Sequence, residues 1–337
     1  MNIRGSSELA RMQLLQRQTV EVRNALDVAG QEAVTNLKQD KYAATGGNLA
    51  RLFSIERMLD RNKVFQETIS MTTMRVDMVQ EGLGRTLAWA ESVSLDLITS
   101  TGLGDYTTSM LHARTAENAF RDTISMLNTQ VAGQSLFAGV ATDGPAMAGG
   151  EAILAQLDAL VAGAPDVATA RGLIDDYFNG VGAPTFAADA YLGSTQDLAP
   201  AEIGDGVRLD HAVRADAPEI VATLRSYAMA AVVARGALAG APDEQLALLR
   251  EAGGAILNAK EDMLTLRSRV GVSQEAVETA RAQRVSEYDT YDLARANIVG
   301  ADPLLAASRF QAFQAQLESV FTVTARLANL RFANFMR

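Results

Sequence analysis

The chain reads as mainly α, a long helical bundle and coiled coil built from both chain ends with a small α+β domain inserted in the middle. Three observations predict this. Apolar residues recur at three- and four-residue steps through both halves. Six of the seven prolines fall between Pro145 and Pro242, and none occurs before Pro145; proline breaks helix interiors, so the irregular part of the chain is its middle. The last 35 residues carry two apolar faces and one acid, Glu318, against four arginines.

The elements follow in order. A first helix is expected from Ser6 or Ser7 to Lys41, with a thin seam of Met12, Leu15, Thr19, Val22, Leu26, Ala29 and Ala33. Thr45-Gly46-Gly47 marks a break, and Asn48 is placed to cap the next helix. That helix is expected to reach about Thr99 on the register Leu52, Ile55, Leu59, Asn62, Gln66, Ile69, Thr73, Val76, Gln80, Leu83, Leu87, Ala90, Ser94 and Leu97. Its five polar members are suited to fixing register or meeting a neighbour, and equally to a partly wet seam. Gly82 and Gly84 should weaken it by roughly 1 kcal/mol each. Asp105 caps a third helix carrying Met110, Ala113, Glu117, Phe120, Ile124, Leu127 and Val131. Short helices are expected at 151–161 and 166–178. A hairpin is expected at 201–213, turning at Gly204-Asp205-Gly206 with Val207, Leu209, His211 and Val213 on one face. Helices resume at 217–239, 243–269 and 273–298, and Gly300 to Pro303 separates them from the terminal helix.

In that terminal helix Leu305, Phe310, Phe313, Leu317, Val320, Thr324 and Leu327 form one seam, and Phe321, Ala325, Ala328, Phe332 and Phe335 a second beside it. Pairing residues 1–40 with 300–337 matches a thin seam to one with apolar surface in excess. A lone helix would bury little of it. The expected parts are therefore a terminal coiled coil (1–45 plus 299–337) disordered in the monomer, a helical body (46–144 plus 217–298) and an outer α+β domain (145–216).

Composition narrows the function. A net charge of −10 argues against a nucleic-acid partner. No apolar run is long enough to insert in a membrane, and no cleavable signal is visible at the N-terminus. The absence of cysteine removes disulfide and thiolate chemistry. Residues 145–242 carry twelve Asp and Glu against five Arg, which reads as a solvated outer surface. His112 and His211 stand apart from other ligand types, so no metal site is expected. No phosphate loop, dinucleotide fingerprint or nucleophile elbow occurs, and Asp175-Asp176 reads as surface charge. No catalytic residue and no cofactor are assigned.

Three stretches carry a resemblance. The tail SRFQAFQAQLESVFTVTARLANLRFANFMR (308–337), the passage LNTQVAGQSLFAGVATDGPAM (127–147) and LRSRVGVSQEAVETA (266–280) are similar to the flagellin family, and the latter two favour its FlgL-type hook–filament junction branch. KQDKYAATGGN (38–48) departs from the family, which usually has an Asp-Asp-Pro-like connector there. The resemblance implies a secreted, extracellular structural subunit of the bacterial flagellum, exported by the flagellar type III apparatus. It implies assembly as a ring with itself, contact with the preceding hook-associated protein and with flagellin, and a flagellar export chaperone at the C-terminal helix. Chaperone and polymer would share the seam of Phe310, Phe313, Leu317, Val320, Phe321, Leu327, Phe332 and Phe335. Met12, Leu15, Val22 and Leu26 would form the N-terminal side. Filament flagellin and a cytosolic coiled-coil scaffold are the alternatives.

Overall fold

The computed structural model describes the backbone of residues 3–335 and the side chains of residues 13–326. It is mainly α, with two small antiparallel two-stranded sheets among the described residues. The helices are α1 (Ile3–Thr35), α2 (Lys41–Ala44), α3 (Ala50–Gly102), α4 (Tyr106–Leu127), α5 (Gly150–Val161), α6 (Val167–Asn179), α7 (Pro218–Ala234), α8 (Pro242–Val299) and α9 (Pro303–Phe335). Two compact units result, Met1–Lys63 with Val285–Arg337, and Val64–Arg284.

In the Val64–Arg284 unit, α7 is the centre. Every residue from Ser226 to Val233 is buried, as a helix apolar on all sides requires. Helices α4, α5 and α6 all pack against it. One apolar cluster runs from Val76 to Val270 through Phe120, Phe137, Ile153, Leu157, Tyr177 and Tyr227. The hydroxyl of Tyr227 donates to the Thr86 carbonyl at 3.3 Å, and burial raises its pKa well above the usual tyrosine value.

Helices α3 and α8 run antiparallel here, and their cross-links show the register. From one end to the other, Gln66 Nε2 donates to Arg284 O (3.4 Å), Arg281 Nη2 to Thr73 Oγ1 (3.2 Å) and Gln274 to Asp77. Further along, Lys260 pairs with Glu91 (3.3 Å) and Arg250 Nη2 donates to Thr101 O (2.8 Å). All fourteen positions of the α3 register are buried or half-buried.

Of the two glycines singled out inside α3, Gly82 has a packing reason, while a Cβ on Gly84 would only touch Arg267 at 3.6 Å. A Cβ on Gly82 would stand 2.7 Å from Met126 Sδ, so its absence lets α4 approach. The expected break between 269 and 273 does not occur: α8 is one helix of 58 residues. A single helical glycine, Gly271, costs only about 1 kcal/mol and is offset where it packs beside Gln80. The first helix ends at Thr35 rather than Lys41, because Asn36 turns left-handed (φ 56°) and Leu37 then bridges to Gly300.

The passage after α4 forms a hairpin, β1 (Gln130–Val131) and β2 (Gln134–Ser135). Ala132 and Gly133 both have positive φ, the condition of a type I′ turn. Leu136, Phe137 and Ala138 then enter the core, and Gly139 (φ 61°) passes close to the backbone of the loop segment 194–196. A Cβ there would lie 2.4 Å from Gln196 O and 2.7 Å from Ser194 O.

Strands β3 (Ala201–Gly204) and β4 (Val207–Leu209) pair as expected, but β4 stops at Leu209. The one-faced strand through Val213 is not formed. Asp210 Oδ1 accepts the Ala212 N–H at 3.1 Å and draws the chain out of the ladder, leaving His211 half-buried in a loop and Val207 53% exposed. With Ile69, Val277 and Ala280, Ile203 closes a small separate core.

A charge cluster ties α4, α5 and α7. Arg235 Nε meets Asp158 at 2.6 Å, Arg235 Nη2 meets Glu151 at 2.9 Å, and Arg121 meets Glu117 (2.6 Å) and Glu151 (2.8 Å). Hydrogen bonds from Arg235, then Arg121, hold the Glu151 carboxyl below the usual range.

Two predictions follow from this packing. Gly139→Ala meets both a strained backbone and two carbonyl oxygens, and should cost about 2 kcal/mol or more of unfolding free energy by denaturant titration. Glu151 has a lowered folded pKa, so its contribution is complete above about pH 4.5 and is lost as pH falls through the folded value. Glu151→Gln should therefore lower Tm at pH 7, with the difference from wild type shrinking steadily below pH 4.5.

Candidate assembly surface

In the unit formed by the chain ends, α1 and α9 pack on each other. Their antiparallel register is set where they meet their connectors. Lys38 N–H donates to Val299 O at 2.8 Å, and Ala301 N–H donates to Asn36 O at 2.9 Å. Asp302 caps α9, accepting from the Leu304 N–H (2.9 Å) and the Leu305 N–H (3.2 Å). One heptad or so along, the Phe310 ring rests on Gly30, where a Cβ would stand 3.2 Å from Cε2. In the same unit Asn62 on α3 reaches Glu287 on α8 at 3.5 Å.

The seam is partly covered. On α1, Val22 and Ala29 are buried and Leu15 and Leu26 half-buried; on α9, Ala306 is buried and Phe313, Leu317 and Val320 half-buried. Phe310 (37%), although one side of its ring rests on Gly30, and Phe321 (49%) keep apolar surface exposed. Met12, Leu327, Phe332 and Phe335 lie outside the described side chains.

The sequence reading missed further apolar residues on these helices. Leu305, read as a seam residue, is 49% exposed; outside the seam, Leu14, Val20, Val28 and Val34 on α1 are exposed, as are Leu304 and Val323 on α9. They flank the seam rather than lie in it. The signal was present as apolar residues out of register with the 3,4 pattern. Gly30 was also missed, although a glycine inside a seam helix marks a close approach.

Charge does not oppose packing on this surface. Glu318 is the one acid of the last 35 residues, while the middle of the chain carries most of the negative charge. Among the described residues there is no group of three potential metal ligands, and no helix is long and apolar enough to cross a membrane. The geometry therefore offers apolar contact area and little chemistry.

Comparison with solved structures finds the same architecture elsewhere. A Vibrio parahaemolyticus protein assigned as a flagellar hook-associated protein superposes with a TM-score of 0.52 at 14% identity, over 73% of this chain and 95% of that one. The two chains share a fold. FlgL from Bacillus cereus aligns with a TM-score of 0.48 at 11% identity, over 72% of this chain and 100% of that one. No protein-family model and no curated protein matches the chain.

The contact at Gly30 is testable. Gly30→Val keeps the helix but pushes the Phe310 ring off α1, so α1–α9 pairing should weaken by about 1–3 kcal/mol. Amide hydrogen exchange of residues 22–33 should be faster in the variant than in the unchanged chain.

Proposed function

We propose that this chain is a structural subunit of the bacterial flagellum that joins hook to filament. The observation that carries the reading is the contrast between the two units. The Val64–Arg284 unit is closed around α7, whereas the α1–α9 pair leaves Phe321, Val323, Leu304 and Leu305 exposed and Phe310 only partly covered. A pair of helices that buries so little of its apolar surface gains most by docking into an assembly. The fold shared with a hook-associated protein supports the same reading, as do the tail, the LFAG passage and the LRSRVG segment.

On this proposal the subunit is exported through the flagellar type III apparatus with α1 and α9 loose, and an export chaperone holds the Phe310–Phe335 side of the tail. Ring assembly covers that side, and the neighbours are the preceding hook-associated protein and flagellin. The role is mechanical, with no catalytic step and no cofactor.

The test uses the purified full chain with hook and filament fragments. Phe321→Glu should abolish incorporation at the junction while shifting the unfolding of the Val64–Arg284 unit by no more than about 0.5 kcal/mol, the range of an exposed substitution. In the free monomer, amide exchange should be fast in α1 and α9 and slow in α7. Indefinite elongation on filament seeds would instead make the chain a filament flagellin, and protected termini in a monodisperse monomer would remove the assembly reading.

A further inference from the structure

In the Val64–Arg284 unit a cleft of about 240 Å³ opens between α3 and α4, and the assembly reading leaves it unused. Arg85 and Trp89, one turn apart on α3, give it one wall, with Thr86 between them. Asp122, Ser125 and Met126 on one face of α4 give it the other, continued by Thr129 just beyond the helix end. Arg85, Trp89, Asp122 and Ser125 are all exposed, so solvent reaches them.

Most polar groups of the lining are free to meet a ligand. The Asp122 carboxylate and the Ser125 and Thr129 hydroxyls make no hydrogen bond or ion pair among the described residues. Arg85 is held only by a 4.0 Å pair with Glu81, and both side chains are well exposed. The buried hydroxyls of Thr86 and Thr123 differ: they donate to their own helix backbones, at 3.1 Å to Gly82 O and 2.7 Å to Ala119 O.

Three features of the lining select the ligand. One guanidinium and one carboxylate balance its charge, so neither an anion nor a cation is favoured. The volume lies below the roughly 300–1,000 Å³ of sites for drug-sized molecules, which leaves room for a single ring. The free groups both donate and accept, so their complement is a neutral molecule dense in hydroxyls. The indole adds a fourth condition. Its face is the negative end of the ring quadrupole and attracts weakly polarised C–H bonds. A pyranose meets all of these, with hydroxyls around its rim and C–H bonds on its faces. We propose that this cleft binds one neutral hexopyranose, a C–H face of the ring on the Trp89 indole and its hydroxyls on Asp122, Ser125 and Thr129. This inference goes beyond the junction reading and does not depend on it.

The probe is methyl β-D-galactopyranoside, whose axial hydroxyl gathers three ring C–H bonds on one face. It is titrated into the full-length protein and followed by NMR through the indole N–H of Trp89. The shift should saturate in the millimolar range, and saturation transferred from the protein should be strongest on those three C–H bonds. D-mannitol, which carries hydroxyls but no ring face, should bind at least about tenfold more weakly. Trp89→Ala and Asp122→Ala lie at exposed positions and should fold normally. Each should weaken the glycoside about tenfold by saturation transfer, while Trp89→Phe, which keeps an aromatic face, should retain most of the affinity. No saturable shift, equal binding of mannitol, or an unchanged affinity in Trp89→Ala or Asp122→Ala would each overturn the assignment.

Discussion

The constraint on which the rest of the Val64–Arg284 unit depends is the register between α3 and α8. Two apolar seams of this length could slide by a turn and still bury much of their surface. The polar rungs forbid it. Thr73, Asp77 and Glu91 each find a named partner on α8, and slipping by one turn would strand several of them at once. Their individual bonds are modest, because most are partly exposed. Their value is that they agree with one another and with the apolar positions between them.

With that register fixed, close approach does the remaining work, and glycine marks each place. Gly82 admits Met126 of α4 against α3, and Gly139 admits the 194–196 segment against the end of the hairpin passage. Gly30 admits Phe310 in the other unit. A methyl group would crowd its neighbour at each of these positions, so in α3 and α1 helix propensity is given up locally for packing.

How much of this was legible in the sequence depends on the element. The α3 register was legible position by position because apolar and polar residues alternate at helical spacing over many turns. The caps at Asp105 and Asn48 were legible as helix starts, each through one side-chain oxygen, while the Asp302 cap was not singled out. The continuity of α8 was not legible: Gly271 and the weak stripe after it suggested a break, and only the packing beside α3 shows why none is needed. The end of α1 was missed because the left-handed turn at Asn36 goes with the bridge of Leu37 to Gly300 and the Ala301 N–H donated to Asn36 O, rather than with a local signal. The β4 strand was overextended because alternation alone cannot show that Asp210 competes for the backbone. For the assembly surface, the seam residues were visible in the 3,4 pattern. The flanking apolar residues were visible only as departures from that pattern, and their exposure was not legible, since it depends on how few elements the chain supplies around α1 and α9.

Trp89, the single tryptophan of the chain, sits 38% exposed on α3 beside a small cleft that also takes in Thr86 and Met126. Its indole is thus a built-in optical reporter for the contact between α3 and α4 that Gly82 makes possible. It lies outside α1 and α9, so emission spectra would follow the melting of one unit while leaving the fate of the chain ends to other probes.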